Sequence, residues 1–112
     1  MLATADSALP AVVVRGEQFV LAGSGIFFTP YGFNYDHDEH YRLLEDYWHT
    51  EWDKVERDFR AMRQLGANTV RIHLQAGRFL ASADALHERE LQQLDRLMQL
   101  AASLALRLHI VG

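Results

Sequence analysis

The segment Gly66-Ala67-Asn68-Thr69-Val70-Arg71-Ile72-His73-Leu74 decides the fold of this chain. It closes an amphipathic helix and opens a strand in which Val70, Ile72 and Leu74 alternate with Thr69, Arg71, His73 and Gln75. A strand that follows a helix belongs to an α/β unit, and parallel strands covered on both faces are apolar throughout. A cation and an imidazole on the second face therefore mark a site, or a face that meets water.

Upstream, Trp52, Val55, Phe59 and Met62 recur at helical spacing and predict a helix with one apolar face. Thr50 is placed to cap it, Glu51 and Asp53 suit the positive end of its dipole, and Gly66 ends it in the left-handed conformation that glycine tolerates best. The apolar stripe is core, because the adjacent strand supplies the surface it needs. Further back, Val12-Val13-Val14 and Phe19-Val20-Leu21 flank Arg15-Gly16-Glu17-Gln18 as a hairpin. Tyr31-Gly32-Phe33-Asn34-Tyr35 reads as a short strand with an irregular entrance at Pro30. Residues 36–49 form a long polar and aromatic loop with a helical turn around 41–46; loops longer than about 12 residues in compact domains are often functional.

Downstream, residues 75–84 form a second connection. Residues 85–104 predict a second helix, with Leu91, Leu94, Leu97, Met98 and Ala101 on its buried face, and Leu106-Arg107-Leu108-His109-Ile110-Val111 a third strand. The order hairpin, β, α, β, α, β implies a parallel sheet with right-handed crossovers. The third strand then presents an apolar edge of a kind proteins usually cover. Either the sheet order places it centrally, or the chain is the front of something larger; the second is favoured, since an eight-fold barrel takes about 250 residues.

At 112 residues the chain fits one domain, with residues 1–11 as a flexible terminus. The absence of cysteine excludes disulfides, thiolate catalysis and cysteine zinc sites. Eleven Lys and Arg against fifteen Asp and Glu give a formal charge of -4. That balance argues against non-specific nucleic-acid binding, which needs clustered cations, and leaves small neutral substrates open. No run approaches the roughly 20 apolar residues of a membrane span, and no secretory signal pattern is visible. The default expectation is a soluble, cytoplasmic protein without nucleic-acid or membrane partners.

Together these residues resemble a family. Residues 12–112 are similar to the opening of a cellulase-type glycoside hydrolase of the family-5-like group in clan A. The resemblance rests on the hairpin with Phe19-Val20, the Tyr31-Gly32-Phe33-Asn34-Tyr35 strand and, most specifically, Asp58-Phe59-Arg60-Ala61-Met62-Arg63-Gln64-Leu65-Gly66-Ala67-Asn68-Thr69-Val70-Arg71-Ile72-His73. It implies an α/β fold: an N-terminal hairpin over the barrel floor, then the first three strands and two helices of a (β/α)8 TIM barrel, in an enzyme that cleaves a β-linked glucan, a mannan or a smaller glycoside without a cofactor. Within that frame Arg71 stands beside the catalytic nucleophile and favours its ionised form. Val70, Ile72 and Leu74 pack on helices while Arg71 and His73 point into the barrel. Asn34, Tyr35, Asp36 and His37, after the first strand, become candidate sugar contacts.

Two departures stand out. Ala105 occupies a place where the family usually has glycine, so a left-handed cap there would cost roughly 1 kcal/mol. The family's acid/base and nucleophile glutamates follow later strands, beyond Gly112. Retaining hydrolysis needs two carboxyl groups about 5 Å apart, and none of the glutamates in this sequence matches either position. This chain alone is therefore expected not to hydrolyse glycosides.

Each residue has a plainer reading. Arg71 is otherwise an ion pair on a half-exposed strand, His73 a hydrogen-bonded interior histidine, and His109 structural. Asp36-His37-Asp38-Glu39-His40 could share a cation if helical, but no further ligand pair completes a site; a solvated loop with no metal is expected. Tyr35, Tyr41, Tyr47 and Trp48 either stack on sugar rings or anchor the loop. For the whole chain the alternatives are a small sugar-binding or interaction module without chemistry, and a fragment that self-associates through its exposed third strand.

Overall fold

The computed structural model describes residues 9–112. Most of the terminus expected to be flexible lies outside the described residues. Within it, the Pro10 carbonyl accepts a hydrogen bond from Arg107 at 2.6 Å and the Ala11 carbonyl one from the Ala22 N–H at 2.7 Å.

Strands β1 (Val12–Arg15) and β2 (Gln18–Leu21) pair antiparallel as a hairpin turned at Gly16, whose φ of 64° is left-handed. Strand β3 (Gly32–Asn34) is short. The long loop holds helix α1 (Leu44–Tyr47), three residues later than the turn expected from the sequence. Helix α2 (Trp52–Gln64) buries Trp52, Val55, Phe59 and Met62, the four residues of the apolar stripe. Thr50 does not cap it. Glu51 is the N-cap residue and makes no side-chain cap bond, because its carboxylate is engaged by the Arg42 guanidinium. Gly66 ends the helix at φ 96°, as expected from its tolerance of that region.

Strand β4 (Thr69–His73) follows, and then the expected connection proves to be built. It contains helix α3 (Ala76–Phe79) and a small hairpin, β5 (Leu80–Ser82) with β6 (Ala85–Leu86). Helix α4 (Glu88–Ser103) therefore starts three residues later than expected, since Ala85 and Leu86 are committed to strand pairing and the His87 N–H to the Phe79 carbonyl. Its buried face is centred on Gln93, Leu97, Leu100 and Ala101, while Leu91, Leu94 and Met98 are half-buried flanks. Gln93 is tolerated inside because its amide donates to the Trp48 carbonyl at 2.6 Å. Strand β7 (Arg107–Val111) is the last element of the described residues.

Among the described residues the fold is mixed α/β with open sheets and no closed barrel. Its main sheet has the order β3-β4-β7, parallel throughout and in register. Both crossovers advance in the same direction, so right-handed connections place α2 and α4 on one face. The burial agrees: Val70 and Ile72 of β4 join Val55, Phe59, Leu97 and Leu100 in one core cluster. Among the described residues the opposite face carries no helix.

Candidate functional site

Register decides what that second face presents. Residues paired across parallel strands share a face, so Asn34, Arg71 and His109 form one row across β3, β4 and β7. Gly32, Thr69 and Arg107 make the row nearer the strand starts, and His73 with Val111 the row nearer their ends. None of these eight residues is acidic. Arg71 and His73 are half-buried, Asn34 and His109 exposed. Among the described residues, neither Arg71 nor His73 has a side-chain hydrogen bond or ion-pair partner. Arg107 is occupied, by the Pro10 carbonyl and by the Phe28 ring at 4.7 Å. A shallow groove of about 190 Å³ runs along β3 beside Tyr31, Asn34, Thr69 and Arg71. A guanidinium, an amide and an imidazole in one row can donate to carboxylate or hydroxyl oxygens.

The other candidates divide. Tyr35 continues β3 onto the helix side, where its ring meets Phe59 edge-on at 5.4 Å and its hydroxyl donates to Asp58 at 2.6 Å. Burial, and then that bond to Asp58, push its pKa far above the usual phenol range. The structure does not bring Tyr35 to the polar face. Tyr47 and Trp48 are buried likewise, so of these aromatics Tyr41 alone is exposed. Asp36 is half-buried, and exposed His37 turns Nδ1 to the Asp38 carbonyl at 3.0 Å and its ring to Tyr41.

Asp38 is the organising group of the loop. Its buried carboxylate accepts the N–H groups of His40 and Arg42, the Arg42 Nε at 2.9 Å and the Lys54 Nζ at 3.2 Å. Burial alone would raise its pKa; the Arg42 and His40 amides and the two cations hold it well below the usual carboxylate range. Lys54 also takes both Glu39 oxygens at 2.7 Å. These carboxylates are spent on fixing the loop to α2. Among the described residues, no group of three His, Asp or Glu is arranged to hold a metal ion.

Two residues stand out only in the folded chain. His109, a structural residue by its mid-strand position alone, stands beside Arg71 on the open face. Glu45 matches neither of the family's catalytic positions. It is buried just past the carboxyl end of β4, where one oxygen accepts the Gln75 N–H at 2.6 Å and the other has no partner among the described residues. Only the register across strands reveals the first, and nothing in the local sequence marks the second.

No described helix is long and apolar enough to cross a membrane. Compared with known proteins, the chain matches no family model, no curated protein and no solved structure.

Proposed function

We propose that the three-stranded sheet is one sector of a glycoside hydrolase barrel, with the helix-free face lining the substrate cleft and Arg71 set to ionise a carboxylate there. The observation that carries this reading is Arg71 itself: half-buried, flanked in register by Asn34 and His109, and without a partner among the described residues. A half-desolvated guanidinium without an acceptor is costly, so the place calls for one. The strand order supports the same reading. A doubly wound sheet reverses direction and covers both faces, whereas successive crossovers in one direction leave one face for a barrel interior. The resemblance of residues 58–73 to cellulase-type hydrolases gives the substrate class, a β-linked glucan or mannan.

The chemistry divides between this face and groups it lacks. Arg71 would hold the nucleophile as its anion, and Asn34 and His109 would hydrogen-bond sugar hydroxyls. Hydrolysis needs two carboxyl groups across the scissile bond, and the three rows provide none. For the chain alone, this lack favours a second reading, a sugar-binding surface without turnover. Titration of labelled protein with cello- and manno-oligosaccharides should move the amide signals of Asn34, Arg71, His73 and His109, and Arg71→Ala should abolish the shifts, with no release of aryl alcohol from aryl β-glycosides. Shifts confined to another surface, or none at millimolar sugar, would remove the proposal.

A further inference from the structure

Tyr41 holds a backbone conformation that folding stability does not explain. The Asp38 N–H donates to the Arg42 carbonyl and the Tyr41 N–H to the Asp38 carbonyl, both at 3.0 Å, and His37 bridges antiparallel to Leu43. Glu39, His40 and Tyr41 are therefore the three-residue loop of a tight hairpin, whose last position takes a left-handed backbone that suits glycine. Tyr41 fills that position at φ 60° and is 81% exposed. A residue with a Cβ is strained there, and one so exposed gains little burial in return. The loop beneath it is fixed, because the Asp38 carboxylate accepts from His40, Arg42 and Lys54, and Lys54 also takes Glu39. The His37 ring lies 5.0 Å from the Tyr41 ring, tilted by 34°, so one face of the phenol is backed and the other is open.

We propose that the open face of Tyr41 is a stacking platform for one pyranose ring of an uncharged glycan. The proposal rests on the glycosidase reading above and adds to it a contact outside the three polar rows. Backbone strain that the surroundings over-determine clusters at ligand sites. The carboxylates nearest the ring, Asp38 and Glu39, are matched by Arg42 and Lys54, so nothing beside it calls for an ionic ligand. What remains is a flat aromatic face, which suits the apolar C–H face of a sugar ring. The loop leaves the carboxyl end of β3, the end at which parallel α/β sheets bind their ligands. Because the loop is already fixed, little entropy is lost in ordering the ring when the sugar arrives.

The test sets stability against binding in the 112-residue chain and two variants. Tyr41→Gly relieves the left-handed strain and removes the ring, so its urea midpoint should rise while its affinity for cello- or manno-oligosaccharides falls roughly tenfold. Tyr41→Phe keeps the ring face and should bind as the unaltered chain does. In the unaltered chain, the amide signals of His37, Tyr41 and Arg42 should move with those of Asn34 and Arg71 as sugar is added. A lower midpoint for Tyr41→Gly would make the tyrosine an anchor of its loop and overturn the proposal, as would unchanged affinity in Tyr41→Gly or an equal loss in Tyr41→Phe. Movement at Asn34 and Arg71 with none at Tyr41 would remove the platform and leave the reading of Arg71 standing. Movement at Tyr41 alone would do the reverse, and no movement at millimolar sugar would remove both.

Discussion

Replacing Gly32 with alanine tests the β3–β4 junction on which the polar face depends. Gly32 does not have a left-handed φ, so backbone entropy alone predicts a gain of about 0.4–1 kcal/mol from alanine. Sterics predict the reverse. A Cβ built at Gly32 falls 1.6 Å from the Thr69 carbonyl oxygen and 2.7 Å from its carbon. That is about 1.8 Å inside ordinary contact, and the obstacle is backbone rather than a side chain free to turn. Relief requires β3 to move away from β4. The flanking bonds, Thr69 N–H to Tyr31 O at 3.2 Å and Tyr35 N–H to Arg71 O at 2.7 Å, would then be stretched out of range. Overpacking costs about 1–3 kcal/mol and the two lost hydrogen bonds about 1 kcal/mol each, so after the entropic gain the net loss is about 2–5 kcal/mol. Urea denaturation followed by the fluorescence of buried Trp48 and Trp52 measures it, with Gly77→Ala, whose Cβ would meet nothing within 4 Å, as the control. A Gly32→Ala midpoint equal to or above that of the unaltered chain would refute the close-approach argument.

Ala105 has φ 55°, so Ala105→Gly should raise stability by roughly 1 kcal/mol by relieving left-handed strain; an unchanged or lower denaturation midpoint would contradict this. Asp38, Glu39, Asp46 and Glu51 are all held below their usual pKa values by cationic and amide donors. Their folded-state values lie below the unfolded ones, so the stability they add is complete above the unfolded range, about 4, and is lost as pH falls through it toward the folded values. Urea midpoints between pH 6 and pH 2.5 should fall, and Lys54→Gln should flatten the fall. A flat or rising profile would sink the ion-network account.

Much of this arrangement was legible in the chain because it is set by local periodicity. Val70, Ile72 and Leu74 alternate with Arg71 and His73, and the structure buries the first set and leaves the second on the open face. The helical stripe from Trp52 to Met62 and the left-handed Gly66 likewise follow from spacing and φ preference, whereas the left-handed Ala105 follows only from the resemblance, which puts glycine at that place. What failed depended on distant partners. Thr50 lost the cap because Glu51 is held by Arg42. Tyr35 turned inward because Asp58, one helix away, accepts its hydroxyl. His109 joined the polar row only through registration with Arg71, which no single segment encodes.

If the face bearing Arg71 is one wall of a glycosidase cleft, as proposed, the most direct measurement grafts that wall onto its complement. A chimera joining residues 9–112 to the third helix and the remaining five β/α units of a cellulase-type hydrolase supplies the two carboxylates. The folded chimera should show aryl β-glycosidase activity, with at least a hundredfold loss of kcat on Arg71→Ala. A chimera that melts cooperatively but is inactive, or whose activity ignores Arg71→Ala, would contradict it.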